Sequence, residues 1–215
     1  LPADGPVFLR EYRDWIGHTG PLPDSWRTIT EPYSRIFEDP NHGWFKEQFA
    51  FMADIPRSRY EFVLRLHDEY LRLKDRDPAR AALTNVRWAG TLPYAAIENY
   101  DRMKAAMRAY RAAPDGSPER GHLARDIAFY MGWLGHYTAD GAQPLHDTIH
   151  HDGWQGANPR DFTRDPAIHS RFESSFVDLI ELSEADIAPS ITAPRVLEDP
   201  FAAILAHLDD ASTFV

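Results

Sequence analysis

The sequence predicts an all-α fold, and three observations carry that prediction. Apolar residues recur at three- and four-residue spacing along several stretches. Prolines stand at the openings of those stretches, where a missing backbone N–H costs nothing. Period-two alternation, the mark of a half-buried strand, is missing.

The elements follow in order. "VFLREYRDWI" (7–16) gives a short amphipathic turn or two, and 21–45, rich in Pro, Asp and Asn, reads as a long loop. Such loops in compact domains tend to be functional or disordered. "RSRYEFVLRLHDEYLRLK" (57–74) has helical spacing. "PYAAIENYDRMKAAMRAYRAA" (93–113) opens on Pro93 and stops before "PDGSP". The strongest helix is 118–141, begun by Pro118 and ended by Gly141. Further helices are predicted at 165–183 and 200–211. No internal repeat or low-complexity segment interrupts the pattern.

A chain of 215 residues suits one domain and can bury a core; a monomer is expected. With 43% hydrophobic and 26% charged residues the balance is that of ordinary globular proteins. No apolar run reaches the roughly 20 residues that span a bilayer. Cysteine is absent, so disulfides and thiolate metal sites are excluded. A net charge of −10 argues against a broad surface for duplex nucleic acid. An anionic substrate would need a local positive charge, which bound metal ions can supply.

One segment concentrates chemistry. "GWLGHYTADGAQPLHDTIHH" (132–151) holds four of the ten histidines. His136 and Asp140 are four apart on the strongest helix, which puts them on one face. Gly141–Leu145 forms a turn stiffened by Pro144, able to aim His146 back at the same spot. His169 and Glu173 repeat the i, i+4 spacing further on. The apolar setting of His136, and the stripe Phe172, Phe176 and Ile180 beside Glu173, place these polar groups near buried faces. Charge there is costly unless a metal or partner compensates it. His67, His122, His150 and His151 are expected outside the ligand set, and Trp154 either lines a cleft or packs.

The combination H136-x3-D140, Q143-P-L-H146 and H169-x3-E173 resembles the superfamily of zinc-dependent phospholipases C and single-strand-specific nucleases. The likeness extends more weakly over about residues 20–180. It implies an all-helical bundle, a cleft with up to three zinc ions, hydrolysis of phosphate esters, and a secreted or periplasmic location. It also implies roles. Asp140 bridges two metals. His146, His169 and Glu173 hold another. Asp24 and His42 come from an upstream loop, with Asp39 as a substitute for Asp24. Family members also bind one zinc through an N-terminal Trp and a nearby His. This chain opens "LPADGPVFLREY" and has neither there, so the resemblance implies that residues precede Leu1; His18 is the candidate substitute.

Such a site suits phosphodiesters. Zinc ions about 3.5–4 Å apart hold phosphoryl oxygens and generate hydroxide near neutral pH, and Asp24 is placed to act as general base. Glu173 leans toward the form of the family's bacterial phospholipases, while the nucleases usually carry Asp there. Phospholipid and single-stranded nucleic acid both remain as substrates. The alternative is a degenerate helical metal-binding protein without turnover; a third possibility is a helical scaffold with scattered histidines.

Overall fold

The computed structural model describes residues 7–215. The expectation about N-terminal zinc ligands concerns residues outside these.

Short helices lead in: α1 (Val7–Glu11), α2 (Arg13–Thr19), α3 (Leu22–Trp26) and α4 (Pro32–Glu38), the last running into a 3-10 turn at Asp39–His42. The expected long loop at 21–45 is therefore mostly helical. Its prolines mislead because they sit in first turns: Pro23 in α3, Pro32 in α4 and Pro40 in the 3-10 turn. There a fixed φ and a missing N–H favour a helix rather than break it.

The long elements match the sequence reading closely. They are α5 (Arg59–Leu73), α8 (Leu92–Ala112), α9 (Pro118–Asp140) and α13 (Pro200–Ala211). Between α5 and α8 lie two short helices the periodicity did not reveal, α6 (Pro78–Leu83) and α7 (Val86–Ala89). Side chains cap most of these starts. Ser58 accepts from Glu61 N at 3.4 Å, Ser117 from Arg120 N at 3.2 Å and Asp199 from Ala202 N at 3.1 Å.

The helix expected at 165–183 is broken. It comprises α10 (Ile168–Ser170), a π turn at Arg171–Ser175 and α11 (Phe176–Leu179); α12 (Glu184–Ile187) follows. Phe172, Phe176 and Ile180 do not form a buried stripe: each is more than two-fifths exposed. Among the described residues no strand forms beyond the isolated pairing of Trp44 with Gly90.

Helices α8 and α9 pack along one another, with α2 against α9 and α13 against α8. The core gathers Trp44, Phe49, Phe62, Leu66, Tyr94 and Leu208. Gly141 does end α9, but with φ −69°, so no left-handed cap is involved. A Cβ there would lie 2.6 Å from Leu208 Cδ2, so the chain passes close to α13 where it turns toward His146. No described helix is long and apolar enough to cross a membrane.

Candidate metal centre

Five chain segments bring the polar side chains together. α3 supplies Asp24, the 3-10 turn after α4 supplies His42, and the last turn of α9 supplies His136 and Asp140. His146 comes from a 3-10 turn at Pro144–Asp147, and His169 and Glu173 from α10 and the π turn. Gln143 caps the turn at Pro144–Asp147: its side-chain oxygen accepts from Leu145 N and holds the Q-P-L-H bend closed.

The donors form two sets. Asp24, His42 and His136 present one ligand atom each within 4.8 Å of one another, and so do His146, His169 and Glu173. Asp140 completes the first set. Its Oδ2 is 2.9 Å from His42 Nδ1 and 3.3 Å from His136 Nε2. Its Oδ1 faces the second set, 4.0 Å from His146 Nε2. In the second set Glu173 Oε1 lies 2.9 Å from both His146 Nε2 and His169 Nε2. The sequence grouping of these last three residues is thus the grouping the fold brings together. Asp39 stands apart, paired with Arg35 at 3.2 Å, while Asp24 takes the place beside His42. His18 is exposed against Trp15.

These arrangements fit zinc. Around a tetrahedral ion with bonds of about 2.0–2.1 Å, donor atoms lie about 3.3 Å apart. The separations here run from 2.9 to 4.0 Å. In each set two imidazole nitrogens face each other at 3.1 Å, His136 Nε2 with His42 Nδ1 and His169 Nε2 with His146 Nε2. Two lone pairs at that distance repel unless a cation or proton lies between them. Two His with two Asp, and two His with one Glu, are oxygen–nitrogen sets that suit zinc, the second with a position to spare.

The titration behaviour reflects the same demand for positive charge. Burial alone would raise the Asp140 carboxyl, but hydrogen bonds with His136 and His42 reverse this and hold it well below the ordinary range. Glu173 is lowered likewise: burial is outweighed by His146, His169 and Gln143. Burial works to lower His42 and His146, yet both are raised, His42 by Asp140 and Glu38, His146 by Glu173 and Asp140.

A supporting layer orients the ligands. His146 Nδ1 donates to the backbone carbonyl of His42, which fixes its tautomer and leaves Nε2 free for a metal. The same backbone stretch thus serves both sets. Buried Glu38 lies 3.4 Å from His42 Nε2 and accepts from the Tyr137 hydroxyl, which in turn accepts from Trp133 Nε1 at 2.7 Å. Gln143 Nε2 donates to Glu173 at 2.9 Å, and Asp152 lies 3.8 Å from His169 Nδ1. The sequence reading missed Glu38, although it stands four residues before His42 at the same helical spacing that marked the other pairs. Asp147, next to His146, is buried, and that burial pushes its carboxyl up to about 8.

A cleft of about 280 Å³ opens on His42, His146 and His169. His151 and Asp152 line it, with His151 stacked on Phe45 at 4.9 Å. Trp154 does not line it; its ring packs on His150 at 3.8 Å and its N–H donates to Ala157 O at 2.7 Å. Of the two roles open to Trp154, packing is the one its contacts support.

Compared with family models, with curated proteins and with solved structures, the chain gives no match in any of the three.

Proposed function

We propose that this chain is a zinc-dependent hydrolase of phosphate esters, with a helical bundle of the phospholipase C and single-strand-specific nuclease kind. One observation carries the reading. Seven donors from separate segments converge as two zinc-compatible sets, and Asp140 faces both. Bound zinc ions would supply Lewis acidity toward the phosphoryl oxygens and a water of lowered pKa.

The chain's own residues have separable tasks in this reading. Asp24, His42, His136 and Asp140 would hold one ion; His146, His169 and Glu173 would hold another. Asp24 is the base. Its side chain is about half exposed, far more than those of the other donors of its set, so it is open to a water whose proton it would take. Arg27, 2.9 Å from Asp24 Oδ1, keeps that carboxylate turned toward the set. His146 contributes Nε2 because His42 O holds its other nitrogen. Glu173, fastened by Gln143, favours the phospholipase side of the family, so phosphatidylcholine is the first substrate to try and single-stranded DNA the second.

The test is zinc per chain after exhaustive dialysis, followed by hydrolysis of both substrates. Two or three ions, as multi-metal phosphoester chemistry requires, and turnover of either substrate support the reading. Bound zinc without turnover would instead leave the metal-binding protein of the alternative. Zinc near zero, with no gain on adding metal, would overturn the metal centre.

A further inference from the structure

The charges lining the cleft beside the donor sets are nearly all neutralised. Arg27 pairs with Asp24 at 2.9 Å, and Asp39 with Arg35 at 3.2 Å. Asp152 lies 3.4 Å from His151 Nε2 and 3.8 Å from His169 Nδ1. Arg87 is the exception. It lines the cleft, yet its guanidinium forms no ion pair among the described residues and rests 5.3 Å over the ring of its neighbour Trp88.

The element that carries Arg87 is held in place. α7 begins at Asn85, whose side chain accepts from Arg87 N at 3.1 Å. It ends at Gly90, with φ +80°, where a Cβ would lie 1.9 Å from Gly43 O. Phe45 N donates to Ala89 O at 2.9 Å and Leu92 N to Gly43 O at 3.2 Å. This backbone lattice ties α7 to the segment that carries His42. The base of the Arg87 side chain is therefore fixed relative to the first donor set.

We propose that Arg87 receives a second phosphate of the substrate, next to the one the donor sets would hold; this rests on the phosphate-ester reading above. A guanidinium offers a planar fork that matches phosphate oxygens. The cleft of about 280 Å³ has Arg87 and the donors His42, His146 and His169 in one lining. Esters with an additional phosphate are then preferred to esters whose remaining groups are neutral.

The experiment is calorimetric titration of the zinc-loaded full chain with thymidine 3′,5′-bisphosphate and with thymidine 5′-monophosphate. Inositol 1,4-bisphosphate against inositol 1-phosphate forms a second arm. The bisphosphate should bind about tenfold tighter in at least one arm, as a charge-assisted contact allows. The arm that shows it tells whether the second phosphate is read on a nucleoside or on a polyol headgroup. Arg87→Gln should bring the ratio close to one, and Arg87→Lys should restore part of it. A ratio equal in wild type and Arg87→Gln, or no wild-type preference in either arm, overturns the assignment. Hydrolysis of bis(p-nitrophenyl) phosphate by the same preparation separates the two failures. Turnover with an unchanged ratio sinks Arg87 alone; no turnover and no nucleotide binding sinks the phosphate-ester reading with it.

Discussion

Exchanging Glu38 for Gln keeps the shape of the side chain and removes one buried charge. Glu38 is only 2% exposed. Burial would raise its carboxyl, yet contacts with His42 and Tyr137 hold it below the ordinary value, so it is ionised at neutral pH. His42 turns Nδ1 to the first donor set, which leaves the proton on Nε2, 3.4 Å from Glu38 Oε1. That distance is long for a hydrogen bond, so the carboxylate acts on the ring chiefly through its charge. Polar contacts to a charged group contribute about 1 kcal/mol more than neutral ones, and 1.4 kcal/mol is tenfold in affinity. Glu38→Gln should therefore weaken zinc binding by about fivefold, a little less than the roughly 10–100-fold typical for groups that hydrogen-bond metal ligands directly. A chelator-competition titration at neutral pH reads this directly, with the melting temperature of the zinc-free protein as control. Glu38→Asp keeps the charge and should retain more affinity than Gln. Zinc affinity within twofold of wild type, in a variant that folds normally, would refute the argument that Glu38 tunes His42.

Four further outcomes are expected. Asp140→Asn should abolish turnover and lower the zinc count, because it removes the carboxylate that faces both sets; turnover within a few-fold of wild type would mean that Asp140 is wrongly placed. In the zinc-free protein, raised His42 and His146 stabilise the fold below their ordinary value near 6.5, and this is lost as pH rises through their native values. Lowered Asp140 and Glu173 contribute above their ordinary values of 3.8 and 4.5, and lose that only as pH falls through their native values. The zinc-free cluster is thus most stabilising between about pH 4.5 and 6.5. Zinc must displace the histidine protons, so its affinity should rise with pH and its binding should release protons; calorimetry in two buffers of different ionisation enthalpy would refute this by finding no release. Gly90→Ala forces a side chain into φ +80° and against Gly43 O. It should destabilise by about 3 kcal/mol, and a urea midpoint change equivalent to under about 1 kcal/mol would contradict the packing described.

Local pattern is enough to locate most of the long elements, because their signals are local. Caps at Ser58, Ser117 and Asp199, prolines in first turns and apolar spacing act within one helical turn. The pairs His136/Asp140 and His169/Glu173 are legible for the same reason: i, i+4 spacing puts two side chains on one face whatever the rest of the chain does. Local pattern failed where a helix is too short to show a period, as in α3, α4, α6 and α7. It failed again where packing broke a period into a π turn around Glu173.

The joining of those pairs into sets is another matter. His42 meets Asp140 across 98 residues and His146 meets Glu173 across 27, and no spacing rule reaches so far. Nor could spacing choose Asp24 over Asp39 beside His42, recruit Glu38 and Tyr137 behind it, or leave Arg87 at the cleft without an ion pair among the described residues. Periodicity and capping are properties of neighbours along the chain, so the sequence alone determined most of the long helices and the His–carboxylate pairs they carry. Convergence, burial and charge balance depend on how helices pack, so only the tertiary structure decided which donors share a site and what faces it.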